Sequence, residues 1–359
     1  MQHIDPHIDV RVLDRLHAQE NLSAETILKT LIQDISRIGK EFILFLDDYH
    51  KINAPPVHNI VAFVLEHAPS RLHMMIAGHT DPPLPLARLR STNQLKEIRD
   101  PYFRFTVDEA TTLLNSLMKL KLPYGTITAL VQRTRALPLN VNYAGHCLWQ
   151  GMPGEAFIEG LEQTEEEPLE FCLNRMLERL PSEMGEFVRQ LSVSEYLAPQ
   201  LAQAITSRKE AGELVAALHR QGLFFDLIEP DALWYRWHSP VRKLLYSGLK
   251  AQAARQVREL HLRACLWYVQ EGELTEAFRH AVEAEDYELA AQLIEKNAQA
   301  LLESGYLVTV QRWLRSIPES VFASRPMLCI CQAWVYIITR EYDRVEPYLA
   351  QALESRQGS

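Results

Sequence analysis

The chain of 359 residues has no long hydrophobic run. Continuous apolar stretches such as Phe42-Ile43-Leu44-Phe45-Leu46 fall far short of the roughly 18 residues that crossing a bilayer requires, so neither a membrane span nor a membrane partner is expected. The start, Met1-Gln2-His3-Ile4-Asp5-Pro6-His7, has neither the basic region nor the apolar segment of a secretory signal, and a cytoplasmic location is expected. Positive charge is also short. Against 46 Asp and Glu stand 37 Lys and Arg, a net charge of -9, which denies the whole chain the basic field that neutralising a phosphate backbone requires. DNA is therefore not an expected partner for this chain alone, although a local patch is not excluded. The cysteines Cys147, Cys172, Cys265, Cys329 and Cys331 are odd in number and never form C-x-x-C, which argues against a disulfide framework or a zinc site. They read as reduced thiols, mostly in the core.

What remains is ordinary globular material, 47% apolar and 23% charged, in a length that suits about two or three domains. From Ser23 to Ile38 apolar residues recur at helical spacing, and Gly39-Lys40 stops that helix. The run Phe42 to Leu46 follows, reading as a strand buried on both faces of a parallel sheet, with Asp47 and Asp48 at its carboxyl end. A helix pattern over Val57 to Glu66 and a second strand run over Leu72 to Ala77 continue an alternating, doubly wound α/β grammar. After about Asp100 the strand patterns cease. Thr106 and Glu109 form a capping-box signature, and helix patterns follow over Thr126 to Arg135, Asn140 to Gln150, Leu169 to Arg179 and Ser182 to Ser192, interrupted at Pro138, Pro153, Pro168 and Pro181. From Lys209 a helix ends at Gly222, and the runs Leu223 to Ile228 and Leu233 to Trp237 flank the turn Glu229-Pro230-Asp231-Ala232, as in a winged helix. Beyond Ala251 amphipathic segments are punctuated by Gly272, Asp286, Gly305 and Pro318, suggesting a solenoid of paired helices; an ordinary helical bundle is the alternative. The best unit, Ala333-Trp334 through Tyr342 to Ala350, loosely follows the tetratricopeptide order without its turn glycine.

An apolar strand ending in Leu46-Asp47-Asp48 has the form of a Walker B element, in which one acid can hold Mg²⁺ and the next can polarise water. Acids are also common at strand ends for no catalytic reason. The Gly-rich loop G-x-x-x-x-G-K-[ST] that would cradle the phosphates is missing: Lys40 is followed by Glu41, and Asp34 stands where the earlier glycine belongs. From the residues alone no cofactor and no competent ATP hydrolysis are expected. Asp47, Asp48, His50 and His79 could instead meet at the strand ends as a hydrolytic metal site, since imidazole and carboxylate suit several divalent cations, but no short motif such as H-E-x-x-H supports it. Arg208, Lys209, Arg220, Arg236, Arg242 and Lys243 could make the winged helix a DNA reader, yet its wing, Glu229-Pro230-Asp231, would repel phosphate, and a packing module is the favoured reading. Trp267, Tyr268, Trp313, Trp334 and Tyr336 read either as core or as the lining of a concave groove for a ligand or partner.

Leu46-Asp47-Asp48-Tyr49-His50, the run Ala77-Gly78-His79-Thr80-Asp81-Pro82-Pro83-Leu84-Pro85-Leu86-Ala87-Arg88-Leu89-Arg90, then Phe105-Thr106-Val107-Asp108-Glu109-Ala110, Trp234-Tyr235-Arg236-Trp237-His238, Glu276 to Ala281 and Trp313 to Pro318 together resemble the regulatory ATPases related to the maltose-regulon activator MalT. These belong to the STAND class of signal-transduction NTPases and commonly end in a LuxR-type DNA-binding domain. The resemblance implies a partial P-loop NTPase α/β sheet over 1–104, an all-α helical domain over 105–164, a winged helix over 165–249 and TPR-like repeats over 250–359, predominantly α overall. It implies Asp47 and Asp48 as vestigial Walker B acids, Asp47 as the metal ligand, Pro138 as the residue lying against adenine, and His238 as the histidine contacting the β-phosphate of ADP. A buried, hydrogen-bonded histidine at the base of the hairpin is the alternative for His238, where Ser239 can cap the next helix and Pro240 can occupy its first position. His79 stands where relatives carry a sensor arginine, which weakens a γ-phosphate sensor. ATP or ADP and Mg²⁺ enter by resemblance only.

The chain resembles the middle of a longer regulator, and the resemblance implies binding of a protein or small-molecule inducer through its repeats. An ATPase switch completed by a phosphate loop in trans and a non-functional remnant are the other readings. Self-association is expected where the sheet lacks its first strand and helix.

Overall fold

The computed structural model describes residues 24–37, 41–220, 222, 224–229, 231–322 and 324–357; the expected helix stop at Gly39-Lys40, the ends of the first helix pattern at Ser23 and Ile38, and Leu223 and Pro230 lie outside them. The fold is predominantly helical with two small sheets, and contacts divide the chain into two units between Tyr102 and Phe103.

In the first unit α1 (Ala24–Arg37) buries Ile32 and Ile35 and packs on α2 (Pro55–His67). β1 (Phe42–Leu46) and β2 (Leu72–Ile76) pair in parallel, Phe42 opposite Leu72 and Leu46 opposite Ile76. A parallel pair needs a crossover, and α2 supplies it. The expectation that β1 is buried on both faces is corrected: burial alternates along the strand, leaving Ile43 63% and Phe45 53% exposed beside Met75 of β2. Two strands and a crossover helix cover only one face of so small a sheet. After the short α3 (Leu86–Ser91), Arg99 pairs with both Asp81 and Glu97, and Arg90 holds Glu97 through two bonds of 2.8 and 2.9 Å. The distinctive run from Asp81 to Arg90 is thus folded by an ion network, in which Arg90 first and Arg99 second hold the Glu97 carboxyl down to about 2.

The second unit opens with α4 (Val107–Thr111). The predicted capping box is present: Thr106 Oγ1 accepts from the Glu109 N–H at 3.2 Å while Glu109 Oε2 accepts from the Thr106 N–H at 2.8 Å. The segment continues as a π-helical turn, Thr112–Leu117, and then α5 (Tyr124–Arg133), α6 (Pro138–Trp149), α7 (Gly154–Gln163), α8 (Pro168–Arg179) and α9 (Ser182–Leu191). Pro138 and Pro168 open their helices and Pro153 and Pro181 stand just before theirs, where a missing N–H costs nothing. A two-residue strand β3 (Tyr196–Leu197), α10 (Pro199–Thr206), α11 (Ala211–Arg220), β4 (Phe225–Glu229), β5 (Trp234–Trp237) and α12 (Ser239–Gln252) complete a winged helix, its antiparallel strands ordered β3-β5-β4. Phe225, Tyr235 and Trp237 fill one face of that sheet, with ring centroids 5.2 to 5.6 Å apart.

The remaining helices pair in series: α13 (Ala254–Glu271) with α14 (Leu274–Glu283), α15 (Tyr287–Glu303) with α16 (Leu307–Arg315), then the short α17 (Glu319–Phe322), and α18 (Pro326–Ile338) with α19 (Val345–Gln357). Gly272 and Gly305 end α13 and α15 near φ values of 80° and 83°, a left-handed turn that glycine adopts without steric cost. In the last pair Arg340 takes that conformation at φ 62° without a glycine; Ala333 is buried and Trp334 half-buried, whereas Tyr342 and Ala350 are exposed. A continuous core of buried residues runs from Ala110 to Ala352, and all five cysteines lie in it. Among the described residues no helix is long and apolar enough to cross a membrane.

Candidate functional site

The strand ends of the first unit gather the residues singled out in the sequence. Asp47 is exposed, and its Oδ1 accepts the Asp48 N–H at 2.8 Å. Asp48 adopts a left-handed conformation at φ 53°, tolerable for an aspartate, and its Oδ2 holds Lys51 Nζ at 2.7 Å. That turn aims the other oxygen, Oδ1, at His50 Nδ1, 4.0 Å away. His79, one residue beyond Gly78 on the loop after β2, meets His50 edge-on with ring centroids 4.5 Å apart. The arrangement brings Asp48, His50 and His79 together, one ligand atom from each within 4.8 Å of the others. Asp47 is not in that group. For Mg²⁺-nucleotide the fit is poor on the phosphate side: carboxylates and imidazoles suit a cation, and the neighbouring cation, Lys51, already lies on Asp48.

In the second unit Pro138 stands at the start of a helix of the helical segment and His238 at the base of the winged-helix hairpin. Arg135 and Ala136 both have φ of 57°, two left-handed non-glycine residues in succession, so the chain doubles back before Leu137-Pro138-Leu139. Pro138 then opens α6, half-buried. His238 immediately precedes α12, which begins one residue earlier than a Ser239 cap requires: the His238 N–H donates to the Phe224 carbonyl at 2.9 Å and its carbonyl accepts from the Arg242 N–H, so Ser239 is the first helical residue and Pro240 the second. Both imidazole nitrogens have partners. The Tyr143 hydroxyl accepts the Phe224 N–H at 3.2 Å and so donates its own proton to His238 Nδ1 at 3.3 Å. The Nε2–H then donates to Asp226 Oδ2 at 3.3 Å. Burial raises the Tyr143 phenol, keeping it a donor. His238 therefore clasps α6 to the hairpin. Tyr143 and Asp226 escaped the sequence reading, because a partner 95 residues away along the chain leaves no local signal.

Two further groups sort themselves by packing. Arg242, a candidate DNA contact, is half-buried and donates to the Ser192 carbonyl at 3.1 Å; desolvation lowers its pKa. In the repeats Tyr268 and Trp313 are core, Trp313 stacking on Phe278 at 4.6 Å, while Trp334 lines a recess of about 260 Å³ with Gln299, Leu302, Glu303, Ile337 and Ile338.

The hairpin, its histidine and the flanking helices invite comparison with known proteins. Residues 173–257 match the MalT winged helix domain. That MalT-type winged helix contains His238, Tyr235 and Asp226 and takes in β3, β4, β5 and α12. The chain is 28% identical over 312 residues to the serine/threonine-protein kinase PknK of Mycobacterium tuberculosis, covering 87% of this chain and 28% of the relative. It is 23% identical over 337 residues to the HTH-type transcriptional regulator MalT of Vibrio parahaemolyticus, covering 93% of this chain and 37% of the relative. The chain thus spans roughly a third of the length of these relatives. Its fold is that of a solved STAND protein with a tetratricopeptide repeat sensor from Pyrococcus horikoshii, with a TM-score of 0.69 at 18% identity over 97% of this chain and 48% of that one. The chain thus carries a MalT-type winged helix and a fold with tetratricopeptide-like helical repeats.

Proposed function

We propose that this chain is the switch-and-sensor part of a MalT-like transcriptional regulator, in which the TPR-like repeats bind a protein or small-molecule inducer and the winged helix passes the event on. The observation that carries the reading is the single continuous core shared by the MalT-type winged helix and the repeat array, which packs sensor against switch. The recess beside Trp334 is the inducer site we favour. Within this reading the chain comprises a Walker B half-domain over 1–104, a helical domain over 105–164, the winged helix over 165–249 and the repeats over 250–359, working in the cytoplasm. Asp47 and Asp48 are vestigial, with Asp47 the metal ligand if Mg²⁺ is ever held. Within the second unit ATP or ADP would lie against Pro138 and reach His238 only after the clasp on His238 opens; His79, in the first unit, is a separate cofactor candidate.

The test is ATP turnover by the whole chain with Mg²⁺, alongside Asp48→Ala. No turnover in either is expected. Mg²⁺-dependent turnover lost in Asp48→Ala overturns the claim and returns the chain to the ATP-hydrolysing switches.

A further inference from the structure

We propose that Asp48, His50 and His79 form a binding site for a borderline divalent transition cation of the Zn²⁺ class, with two imidazoles and one carboxylate as protein ligands. His50 Nδ1 is buried and has no hydrogen-bond partner, and it faces both the Asp48 carboxylate and the His79 ring. Interiors satisfy nearly every such atom, so an orphaned imidazole nitrogen between a carboxylate and a second imidazole points to a missing electrophile.

The donor set selects the ion. Imidazole nitrogens suit Zn²⁺, Co²⁺ and Ni²⁺, whereas Mg²⁺ prefers an octahedron of oxygens and keeps its waters. Three protein ligands with a fourth position left to water is an arrangement zinc commonly takes. Zinc–nitrogen and zinc–oxygen bonds of about 2.0 to 2.2 Å place tetrahedral ligands about 3.4 Å apart, so the group closes by roughly 1 Å on binding. His79 lies on an exposed loop and can make that movement. Lys51 remains on Asp48 Oδ2 while Oδ1 serves the metal.

The experiment is titration of the chelator-treated whole chain with Co²⁺, followed by its visible d–d absorption and by calorimetry. His50→Ala, His79→Ala and Asp48→Asn are compared with the parent, circular dichroism confirming that each folds. Asn is chosen because it accepts the left-handed backbone that Asp48 adopts. His73→Ala, an exposed histidine of β2 outside the group, is the control. We expect one equivalent bound, displacement by Zn²⁺ but not by Mg²⁺, an affinity loss of about tenfold or more in each of the three variants, and no loss in His73→Ala. Absence of binding, equal affinity in His79→Ala and the parent, or a loss seen only on replacing His3 and His7 of the amino-terminal sequence would overturn the site. None of these outcomes depends on ATP turnover, so this proposal and the proposed function fail separately.

Discussion

Among the described residues there are two small sheets, each with strands that alternate in burial, and they end up in opposite situations. In the wing, β5 alternates half-buried Trp234 and Arg236 with buried Tyr235 and Trp237, and the buried face meets helices. In the first unit, β1 alternates in the same way, yet the residues on its exposed face are Ile43 and Phe45. Alternation therefore says which residues share a face, and only the neighbouring elements say whether that face is covered. A covered face supplies stability; an apolar face left open supplies adhesion.

The sharpest way to break the comparison is to truncate one packed residue of the wing. Phe225→Ala, in a fully packed setting, should cost about 3 to 5 kcal/mol, read as a lowered urea midpoint. If it costs less than about 1 kcal/mol, the wing is no better packed than the parallel pair.

A second test uses acid on the packed unit alone. His280 Nε2 accepts from Arg279 at 2.8 Å, its Nδ1–H donates to His261 Nδ1 at 2.8 Å, and the His261 Nε2–H donates to Tyr246 at 3.0 Å. Burial, then the Arg279 charge, pushes His261 down to about 3 and His280 well below its ordinary value. Both stay neutral in the fold while the unfolded chain protonates near pH 6.5. Their contribution is thus complete above about pH 6.5 and lost as pH falls, at up to about 1.4 kcal/mol per pH unit for each histidine. Urea midpoints at pH 7.5 and pH 5 should show the fall in the second unit, and His280→Gln should flatten it.

The smallest effect belongs to the open sheet. Phe45→Lys should change stability by no more than about 0.5 kcal/mol while reducing self-association in sedimentation velocity. A parent that is already monomeric at high concentration would remove the contrast.

How far these features could be read in advance depended on their range along the chain. The Thr106–Glu109 cap, the prolines at helix starts and the runs of β1 and β2 are local signals, and local chemistry decides them. The two-residue β3 is too short for any period, and α7 passed unmarked although Phe157 and Leu161 give it a buried face. The continuous run of β1 could not reveal that only one face is covered, because every residue in it is apolar. At the strand ends Asp48, His50 and His79 were legible as neighbours, since the ends of successive parallel strands in one sheet lie side by side. The Tyr143–His238–Asp226 clasp was not, being assembled from three separate elements by tertiary packing.

The burial of every cysteine has a practical side. Desolvation raises the Cys265 thiol to about 11 and the Cys331 thiol to about 12, so at neutral pH these two are protonated as well as shielded. A thiol-reactive dye can reach them only when the surrounding helices part. Labelling at Cys147 then clocks the breathing of the helical segment, that at Cys172 the helix that opens the winged-helix region, and that at Cys265, Cys329 and Cys331 the breathing of the repeats. No cysteine lies in the first 102 residues, so the chain carries native kinetic probes for one unit and is silent for the other.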